Sequence, residues 1–322
     1  MTADLDVKLT ALLGHVNVRK NSTRSPHSKL LTAITATCLF VVATAAQSPN
    51  PTYHASIEKW RRAYETSLKS DDGWLTVTGL FWLREGENKF GSDPLNDIVL
   101  NQPNIPAELG SFNMHDGKIE VTISPGVQIK MKGQTVQSAA ILPDSDDRLA
   151  LGDLSLLVHK SGERYAVRIK DKNSKLRKNF AGVSWFPVDE HYRVTAKFVP
   201  YDPPHELEIQ NLAGDTLKIP SPGYAEFQLA GEQYRLEAIP QATGGGLNFI
   251  FRDLTSGKET YPAARFLDTP APTNGQLILD FNEAYNPPCA YNPYTTCPLP
   301  PPQNRLRIRI AAGEMMYKGN HQ

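Results

Sequence analysis

The sequence predicts a mainly antiparallel all-β fold with one amphipathic helix near the N-terminus. Beyond residue 46, apolar and polar residues alternate in many short segments, and no long apolar run of helical period follows. The chain of 322 residues also contains 22 glycines and 25 prolines, many of them between these segments. A period of two indicates strands with one buried face, and frequent Gly and Pro breaks favour short strands joined by turns over a helical bundle.

Residues 1–46 have the pattern of an export signal. An apolar segment lies within KLLTAITATCLFVVATAAQS, from Lys29 to Ser48, after a basic stretch and before a small-residue exit. At about fifteen residues it is shorter than the roughly twenty that a membrane span needs. We predict cleavage after Ala45 or Ala46, which yields a soluble periplasmic or secreted protein without a stable membrane span. Anchoring by an uncleaved N-terminal segment is the alternative.

Residues 47–72 are predicted to form a polar linker followed by the helix. An apolar stripe recurs at spacings of three and four residues: Ile57, Trp60, Tyr64 and Leu68. This spacing places the four side chains on one face of a helix. Ser56 is positioned as an N-cap, and Asp71-Asp72-Gly73 is positioned to end the helix. We expect the two aromatic residues of the stripe to be buried against the following sheet rather than to form a ligand-binding site.

Two series of strand-like segments follow the helix. The first series, in residues 73–175, includes WLTVTGLFWL, KIEVTIS, VQIKMKG, LSLLVHK and RYAVRIKD. The second series, in residues 176–322, includes YRVTAKFVP, HELEIQN, YAEFQLAG, EQYRLEAIP, LNFIFRD and GQLILDF. The polar segment DKNSKLRKNFAG at 171–182 separates them, and we place a domain boundary there. We expect a β-sandwich first and a second β-sandwich or open barrel after it.

The first series resembles the forkhead-associated domain, a β-sandwich that binds phosphothreonine. The resemblance is carried by turn and strand-edge residues: Gly86, Gly91, Asn96-Asp97-Ile98, Gly133 and Gly152-Asp153. The phosphate-binding residues of the family do not match, because its arginine is Ser92 here and its Asn-Gly pair is Lys132-Gly133. Phosphate binding needs charge-assisted donors to offset desolvation. The resemblance therefore implies a sandwich of this type that does not bind phosphothreonine.

A longer and more specific motif lies nearer the C-terminus. It consists of FRDLTSGKETYPAARFLDTP followed by LILDFNEAYNPPCAYNPYTTCPLPPPQNRLRIRIAAGE. These segments resemble the bacterial and archaeal family known as domain of unknown function 1684. The resemblance extends more thinly to GWLTVTGLFWLREGENKFG, so that it spans roughly residues 55–315. It implies no particular reaction.

The family motif contains a proline-rich signature loop, residues 282–306, with two cysteines. Cys289 and Cys297 are predicted to form a disulfide, because a nearby pair in an exported chain favours a cross-link over a zinc site. Closing so short a loop stabilises a protein by about 2 to 3 kcal/mol on the chain-entropy estimate. A reactive thiol is the alternative, and it would need a neighbouring base or cation to lower its pKa.

We expect the side chains around this loop to form a cleft that binds a small molecule, a glycan or a peptide. The candidate ligand-binding residues are Arg265, Asp280, Asn282, Tyr285, Asn286, Asn304 and Arg305. Arginine supplies forked hydrogen-bond donors, and tyrosine supplies contact area at a small entropic cost. In the alternative interpretation, the asparagines and arginines are the loop's own hydrogen-bond partners, since its prolines leave few backbone N–H donors.

Two other functions stay open at the level of sequence. Asp280, Glu283 and Glu314 are candidate catalytic carboxylates for a metal-independent hydrolase. A structural or interaction protein of the cell envelope is the third hypothesis. Lys plus Arg equals Asp plus Glu at 34 each, which gives no indication of nucleic-acid binding. We predict no cofactor or metal, because no His-Glu-x-x-His motif or cysteine quartet occurs.

Overall fold

The computed structural model describes residues 50–241 and 244–319, which belong to one compact unit. The predicted signal segment, residues 1–46, lies outside the described residues. Mostly antiparallel sheets make up the fold, so the predicted all-β class with an N-terminal helix is confirmed. Within the described ranges, no helix combines the length and the apolar character that crossing a membrane requires.

Helix α1 spans Pro51–Leu68 and begins earlier than the sequence predicts. The N-cap is Asn50, whose side chain accepts hydrogen bonds from the backbone N–H groups of Thr52 and Tyr53. The predicted cap, Ser56, is wrong, because it lies inside the helix and its hydroxyl donates to the Tyr53 carbonyl. Asn50 followed by Pro51 starts the helix because proline fits the first turn, where its missing N–H costs nothing.

Among the described residues before 172, eleven strands form two sheets. They are β1 (Val77–Trp82), β2 (Gly86–Gly91), β3 (Ile98–Val99), β4 (Gly110–His115), β5 (Lys118–Ile123), β6 (Ile129–Met131), β7 (Gln134–Val136), β8 (Ser138–Ile141), β9 (Arg148–Leu151), β10 (Leu154–Ser161) and β11 (Arg164–Asp171). One sheet has the order β1-β11-β10-β9-β6-β7, and the other has the order β3-β2-β4-β5-β8. The β2–β3 pair is parallel, and the other pairs are antiparallel.

Both sheets contribute to a single apolar core. In β5 the buried side chains are Ile119, Val121 and Ile123, alternating with exposed ones, as expected for a strand with one face on a core. The Phe90 and Phe112 rings pack in a tilted arrangement within the same cluster, with their centroids 4.9 Å apart. The first series of segments thus forms a sandwich, and its resemblance to the forkhead-associated domain stays a prediction.

The second series forms one six-stranded antiparallel sheet curved into a half-barrel. Its strands are β12 (Arg193–Gln210), β13 (Thr216–Leu229), β14 (Glu232–Pro240), β15 (Leu247–Phe251), β16 (Arg265–Thr269) and β17 (Gln276–Asp280), in the order β16-β15-β14-β13-β12-β17. The short helix α2, Lys175–Lys178, lies in the segment that joins the two series, and the sequence did not predict it.

A second apolar core lies on the half-barrel sheet. It includes Phe227, Phe249, Phe251 and Phe281, all buried. A smaller cluster joins helix α1 to the signature loop through Leu68, Leu75, Phe180 and Tyr291. This smaller cluster fixes the helix beside the loop, and the space between them is the pocket described next.

Candidate binding site

An open pocket of about 550 Å³ lies between helix α1 and the signature loop. Its lining residues come from α1, from the turn after it, from the end of β16 and from the loop: Trp60, Ala63, Tyr64, Ser67, Leu68, Trp74, Asp268, Tyr285, Asn286, Pro288 and Tyr291. We call this space the α1 pocket. Five of the eleven lining residues are aromatic, and none is lysine, arginine or histidine.

The aromatic wall of the α1 pocket follows from the spacing of the helix. Trp60 and Tyr64 are four residues apart, so their side chains lie on the same face. Their rings stack at 5.5 Å with an interplanar angle of 3°. Tyr285 of the loop tilts against both, at 5.3 Å from Tyr64 and 6.5 Å from Trp60. Trp185 packs edge-on behind them, 5.8 Å from each. The rings therefore hold one another in place.

Glu314 lies beneath this wall and is fully buried. Its Oε1 accepts a hydrogen bond from the Tyr291 hydroxyl at 2.6 Å, and its Oε2 accepts one from the Asn286 backbone N–H at 2.8 Å. The Tyr64 hydroxyl lies 3.3 Å from Oε2 and 3.0 Å from the Tyr291 hydroxyl. Burial raises the pKa of Glu314 to about 7, although these hydrogen bonds act to lower it.

The backbone around Gly313 brings Glu314 to this position. Gly313 has a φ of 77°, and a Cβ there would lie 2.4 Å from the Ala284 carbonyl oxygen. Only glycine fits such a left-handed conformation at so close an approach. The N–H of Glu314 donates to that same carbonyl at 2.8 Å, and the Gly313 carbonyl accepts from the N–H of Phe186. The segment is therefore fixed on both sides.

Asn286 and Asp268 supply polar groups to the pocket lining. The Asn286 side-chain N–H donates to the Met315 carbonyl at 2.8 Å, while its Oδ1 is buried and has no hydrogen-bond partner among the described residues. The Tyr285 hydroxyl donates to Asp268 Oδ2 at 2.8 Å. Burial and the Asp268 carboxylate raise the pKa of Tyr285, so its hydroxyl keeps its proton.

Tyr285 and Asn286 are thus the predicted ligand-binding residues that line the α1 pocket, and two others are fixed in the core instead. Arg265 has no exposed surface and pairs with Asp253, with a nitrogen–oxygen distance of 3.2 Å. It also donates to the carbonyls of Ile310 and Ala312. Asn304 is buried, and its side chain donates to two carbonyls and accepts from a backbone N–H. Both side chains therefore serve as hydrogen-bond partners of backbone groups.

Asp280 and Asn282 form a second polar cluster at the N-terminal end of α1. The Tyr53 hydroxyl donates to the Asp280 carboxylate, with distances of 2.9 and 2.8 Å to its two oxygens. The Asn282 side chain donates to the Tyr53 hydroxyl at 3.0 Å and to Asp280 at 3.1 Å. Burial and the Asp280 charge raise the pKa of the half-buried Glu283 to about 7, while Arg193 opposes this.

The candidate catalytic carboxylates do not share the α1 pocket. Both oxygens of Glu314 are occupied by protein donors beneath it, and neither Asp280 nor Glu283 lines it. Arg305 is exposed and lines a separate groove of about 270 Å³ beside the proline run Pro300–Pro302. Within 50–241 and 244–319, no group of three or more His, Cys, Asp or Glu side chains is arranged to hold a metal ion.

The structure does not show the predicted disulfide, because Cys289 and Cys297 are both free thiols in it. The N–H of Cys289 donates to the sulfur of Cys297 at 3.3 Å, and that sulfur lies 3.6 Å from the Thr295 hydroxyl. A hydrogen bond between the two thiols raises the pKa of Cys289 and lowers the pKa of the buried Cys297. The more accessible thiol is therefore the neutral one, which does not favour a reactive nucleophile.

Sequence reasoning missed several lining residues of the α1 pocket. The expectation for Trp60 and Tyr64 was burial against a sheet, whereas their rings line the pocket opposite the loop. Trp74 and Asp268 were not among the candidates. An aromatic pair at a spacing of four on an exposed helix was the available signal, but the fold had to show that the signature loop lies opposite it.

Comparison with known proteins identifies the family of this chain but assigns it no activity. A family model described as a protein of unknown function, DUF1684, matches residues 178–315, a shorter span than the resemblance had indicated. The solution NMR structure of an uncharacterized protein from Haloarcula marismortui is 34% identical. That alignment covers 43% of this chain and 78% of the other, with a TM-score of 0.37. No curated protein matches the chain. By the match of its half-barrel region and signature loop, the chain belongs to the DUF1684 family.

Proposed function

We propose that this protein is a binding module that holds an uncharged, hydroxyl-bearing small molecule of the saccharide class in the α1 pocket. Support comes mainly from the lining of the pocket, which combines five aromatic rings with carboxylate, amide and hydroxyl groups and contains no basic side chain. Concave sites with apolar walls and a few placed polar groups are typical of small-molecule binding.

The aromatic residues suit a ligand with apolar faces and polar edges. Trp and Tyr rings offer large rigid surfaces at a small entropic cost, and a sugar ring can lie flat on them through its C–H groups. Trp74 is 38% exposed and Trp60 is partly exposed, so both rings are accessible from solvent. The rings are already packed against one another, so little ordering would accompany binding.

The polar groups of the pocket favour a ligand that donates hydrogen bonds. The Asp268 carboxylate is exposed, and the Asn286 Oδ1 has no donor within the described residues. Asp268 is the acceptor that a ligand hydroxyl can reach, because the unpaired Asn286 Oδ1 is buried and has almost no accessible surface. An anionic ligand is disfavoured, because the Asp268 carboxylate would repel it and no cationic side chain lines the pocket to attract it. Arg168 and Lys170 do lie over the Trp74 ring, at 5.5 and 5.9 Å, but neither lines the pocket.

Isothermal titration calorimetry with the purified chain tests the proposal. The probes are glucose, N-acetylglucosamine and their β-1,4-linked oligomers of two to four units. We expect binding to the wild type and at least tenfold weaker binding to Trp60→Ala. Leu142→Ala is the control, because it truncates an exposed apolar side chain that lines none of the three pockets named here. The proposal fails if no probe binds the wild type, or if Trp60→Ala binds as tightly as the control.

The variant Asp268→Asn separates a neutral ligand from a cationic one. Removing the charge leaves an amide that can still bond a hydroxyl, so saccharide binding is expected to change less than threefold. An ammonium ligand recognised by the rings and the carboxylate would lose much more affinity. Choline serves as the cationic probe. Tight choline binding that Asp268→Asn abolishes would replace the saccharide class with a quaternary amine.

We also propose that residues 1–46 direct export and that the mature protein is periplasmic or secreted. The support is the sequence pattern of a basic stretch, a short apolar run and a small-residue exit. Expression of the full chain in a Gram-negative host, followed by fractionation and N-terminal sequencing, tests this. Export predicts a shortened chain that begins at Ala46 or Gln47 in the periplasmic fraction. A full-length chain in the membrane fraction would support the uncleaved anchor instead.

A further inference from the structure

A second pocket of about 550 Å³ lies on the other side of the signature loop. Its lining residues are Leu80, Trp82, Leu212, Ala213, Tyr261, Cys289, Asn292, Pro293, Tyr294 and Thr295. We call this space the β1 pocket, after the strand that carries Leu80 and Trp82. None of its lining side chains carries a formal charge, and the Cys289 thiol is neutral because its hydrogen bond to Cys297 raises its pKa.

One short turn of the loop separates the two pockets. In the 3-10 turn Pro288–Ala290, Pro288 lines the α1 pocket and the next residue, Cys289, lines the β1 pocket. A second contact crosses the same wall, because the Asn292 side chain donates to the Trp74 carbonyl at 3.1 Å. Asn292 lines the β1 pocket, and Trp74 lines the α1 pocket. The pockets are therefore neighbours with a shared wall.

The β1 pocket repeats the chemistry of the α1 pocket. Trp82, Tyr261 and Tyr294 provide aromatic surface, and Asn292 and Thr295 provide amide and hydroxyl groups. Tyr294 is 39% exposed, and Leu212 beside it is 45% exposed. Apolar side chains this large and this open to solvent, grouped around a concavity, are typical of interaction sites.

The Trp82 ring is held in position by an arginine whose own charge is paired with an aspartate. The Arg164 guanidinium lies 3.7 Å from the centre of the indole. Arg164 also donates to Asp215 from two nitrogens, at 2.7 and 3.0 Å, so its charge is paired. A cation on one face of an indole is an attractive contact that fixes the ring. The indole is thus presented to the pocket without adding net charge to it.

We propose that the β1 pocket is a second subsite for the same ligand, so that the protein binds an uncharged oligosaccharide with units on both sides of the Pro288–Ala290 turn. This inference rests on the proposed function of the α1 pocket and adds the minimum size of its ligand. An uncharged chain is favoured because neither pocket is lined by a basic side chain and the β1 pocket is lined by no charged side chain. Two covalently joined units that bind adjacent subsites gain affinity beyond either unit alone.

Titration with oligomers of increasing length tests the second subsite. The probes are one to four β-1,4-linked units of glucose and, separately, of N-acetylglucosamine. We expect the affinity of the wild type to rise at least tenfold between one unit and the longest oligomer. Trp82→Ala and Tyr294→Ala are each expected to remove most of this rise, while Leu142→Ala keeps it. Tyr294 serves as the second variant because its exposed side chain can be truncated with less risk to folding than Trp82.

The outcomes distinguish the second subsite from the proposed function. Binding that does not strengthen with length, or a rise that survives both Trp82→Ala and Tyr294→Ala, overturns the second subsite and leaves the α1 pocket in place. If none of the probes binds the wild type, both proposals fail. Thermal melting of each variant identifies any loss that is due to unfolding. In that event Tyr294→Phe, which keeps the ring and removes the hydroxyl, must retain the length-dependent rise.

Discussion

Glu314 makes the stability of the protein depend on pH near neutrality. Its pKa of about 7 in the folded protein lies above the ordinary value of 4.5. Between these values the folded state holds a proton that the unfolded state has released, so this contribution to stability is present at low pH and lost as pH rises through 7. From pH 5 to pH 8, the difference corresponds to roughly 2 to 3 kcal/mol on the scale of 1.36 kcal/mol per pKa unit.

We therefore predict that Glu314→Gln flattens this pH dependence. Urea unfolding at pH 5 and pH 8 measures it, and the wild type should lose stability over this interval. The variant should lose less, by roughly 2 to 3 kcal/mol on the same scale. Glu283→Gln is the matched comparison, because it removes a second carboxyl whose pKa is also raised to about 7. An equal loss in wild type and Glu314→Gln would mean that the buried carboxyl does not take up a proton near neutrality.

Arg265 carries a buried charge that, unlike the Glu314 carboxyl, is paired with a charge of opposite sign. Its guanidinium pairs with Asp253, and neither side chain has exposed surface. Burial lowers the pKa of Arg265, and the Asp253 charge opposes this. Arg265→Met would leave the Asp253 carboxylate buried without its cation. We predict a loss of about 3 to 5 kcal/mol in the free energy of unfolding, measured in urea, as is usual when one partner of a buried pair is removed.

Arg309→Met is the matched control for that loss. Arg309 pairs with Glu259 at 2.7 Å on the surface, and it is exposed. Exposed pairs contribute little because water already solvates both charges. We expect no clear change in stability for this variant. A similar loss in both variants would show that burial of Arg265 is not the reason for its effect.

At the scale of the element, helix α1 is attached along its length to the half-barrel region. The Tyr53 hydroxyl bonds Asp280 near the first turn, Arg61 donates to the Phe186 carbonyl at 3.0 Å in the middle, and Tyr64 reaches Glu314. These positions are spaced so that one face of the helix makes all three contacts. The helix thus serves as a wall of the α1 pocket because its own polar contacts fix it there.

Tyr53→Phe tests this attachment. The substitution removes the hydroxyl that donates to Asp280 and leaves that buried carboxylate with fewer donors. We predict a loss of about 1 to 2 kcal/mol in the free energy of unfolding, the usual cost of a buried acceptor that loses its partner. Tyr234→Phe is the control, because its hydroxyl donates to the exposed Glu232. A loss for Tyr53→Phe no greater than for Tyr234→Phe would contradict the attachment.

The limits of sequence reasoning are clearest for this helix and its loop. The stripe of Ile57, Trp60, Tyr64 and Leu68 predicted the helix, because a period of 3.6 is a local property. Its surroundings depend on contacts such as the one between Tyr64 and Glu314, which lie 250 positions apart in the chain. No local pattern contains that information. For the same reason, the signature loop was identified as a region, but the burial of Arg265 and Asn304 required the fold.

At the scale of the whole molecule, two apolar cores are joined by a polar contact. Asp215, in the turn before β13, accepts from the Ser161 hydroxyl at 2.7 Å and from Arg164 in the sandwich. The Asn211 side chain donates to Ser161 at 2.7 Å. This polar network runs from the buried Ser161 and Asn211 to the exposed Arg164. Polar networks tie two surfaces into one arrangement when their groups are satisfied. The described residues accordingly belong to one compact unit.

We predict from this that the sandwich and the half-barrel unfold together. Phe112→Ala opens a cavity in the first core and Phe251→Ala opens one in the second, each at a cost of about 3 to 5 kcal/mol. If the cores are coupled, either substitution lowers the midpoint of one shared transition in differential scanning calorimetry. If each substitution splits the trace and moves a different peak, the cores unfold separately. In that case Asp215→Ala should leave both peaks where they are, whereas in a coupled molecule it should broaden or divide the single transition.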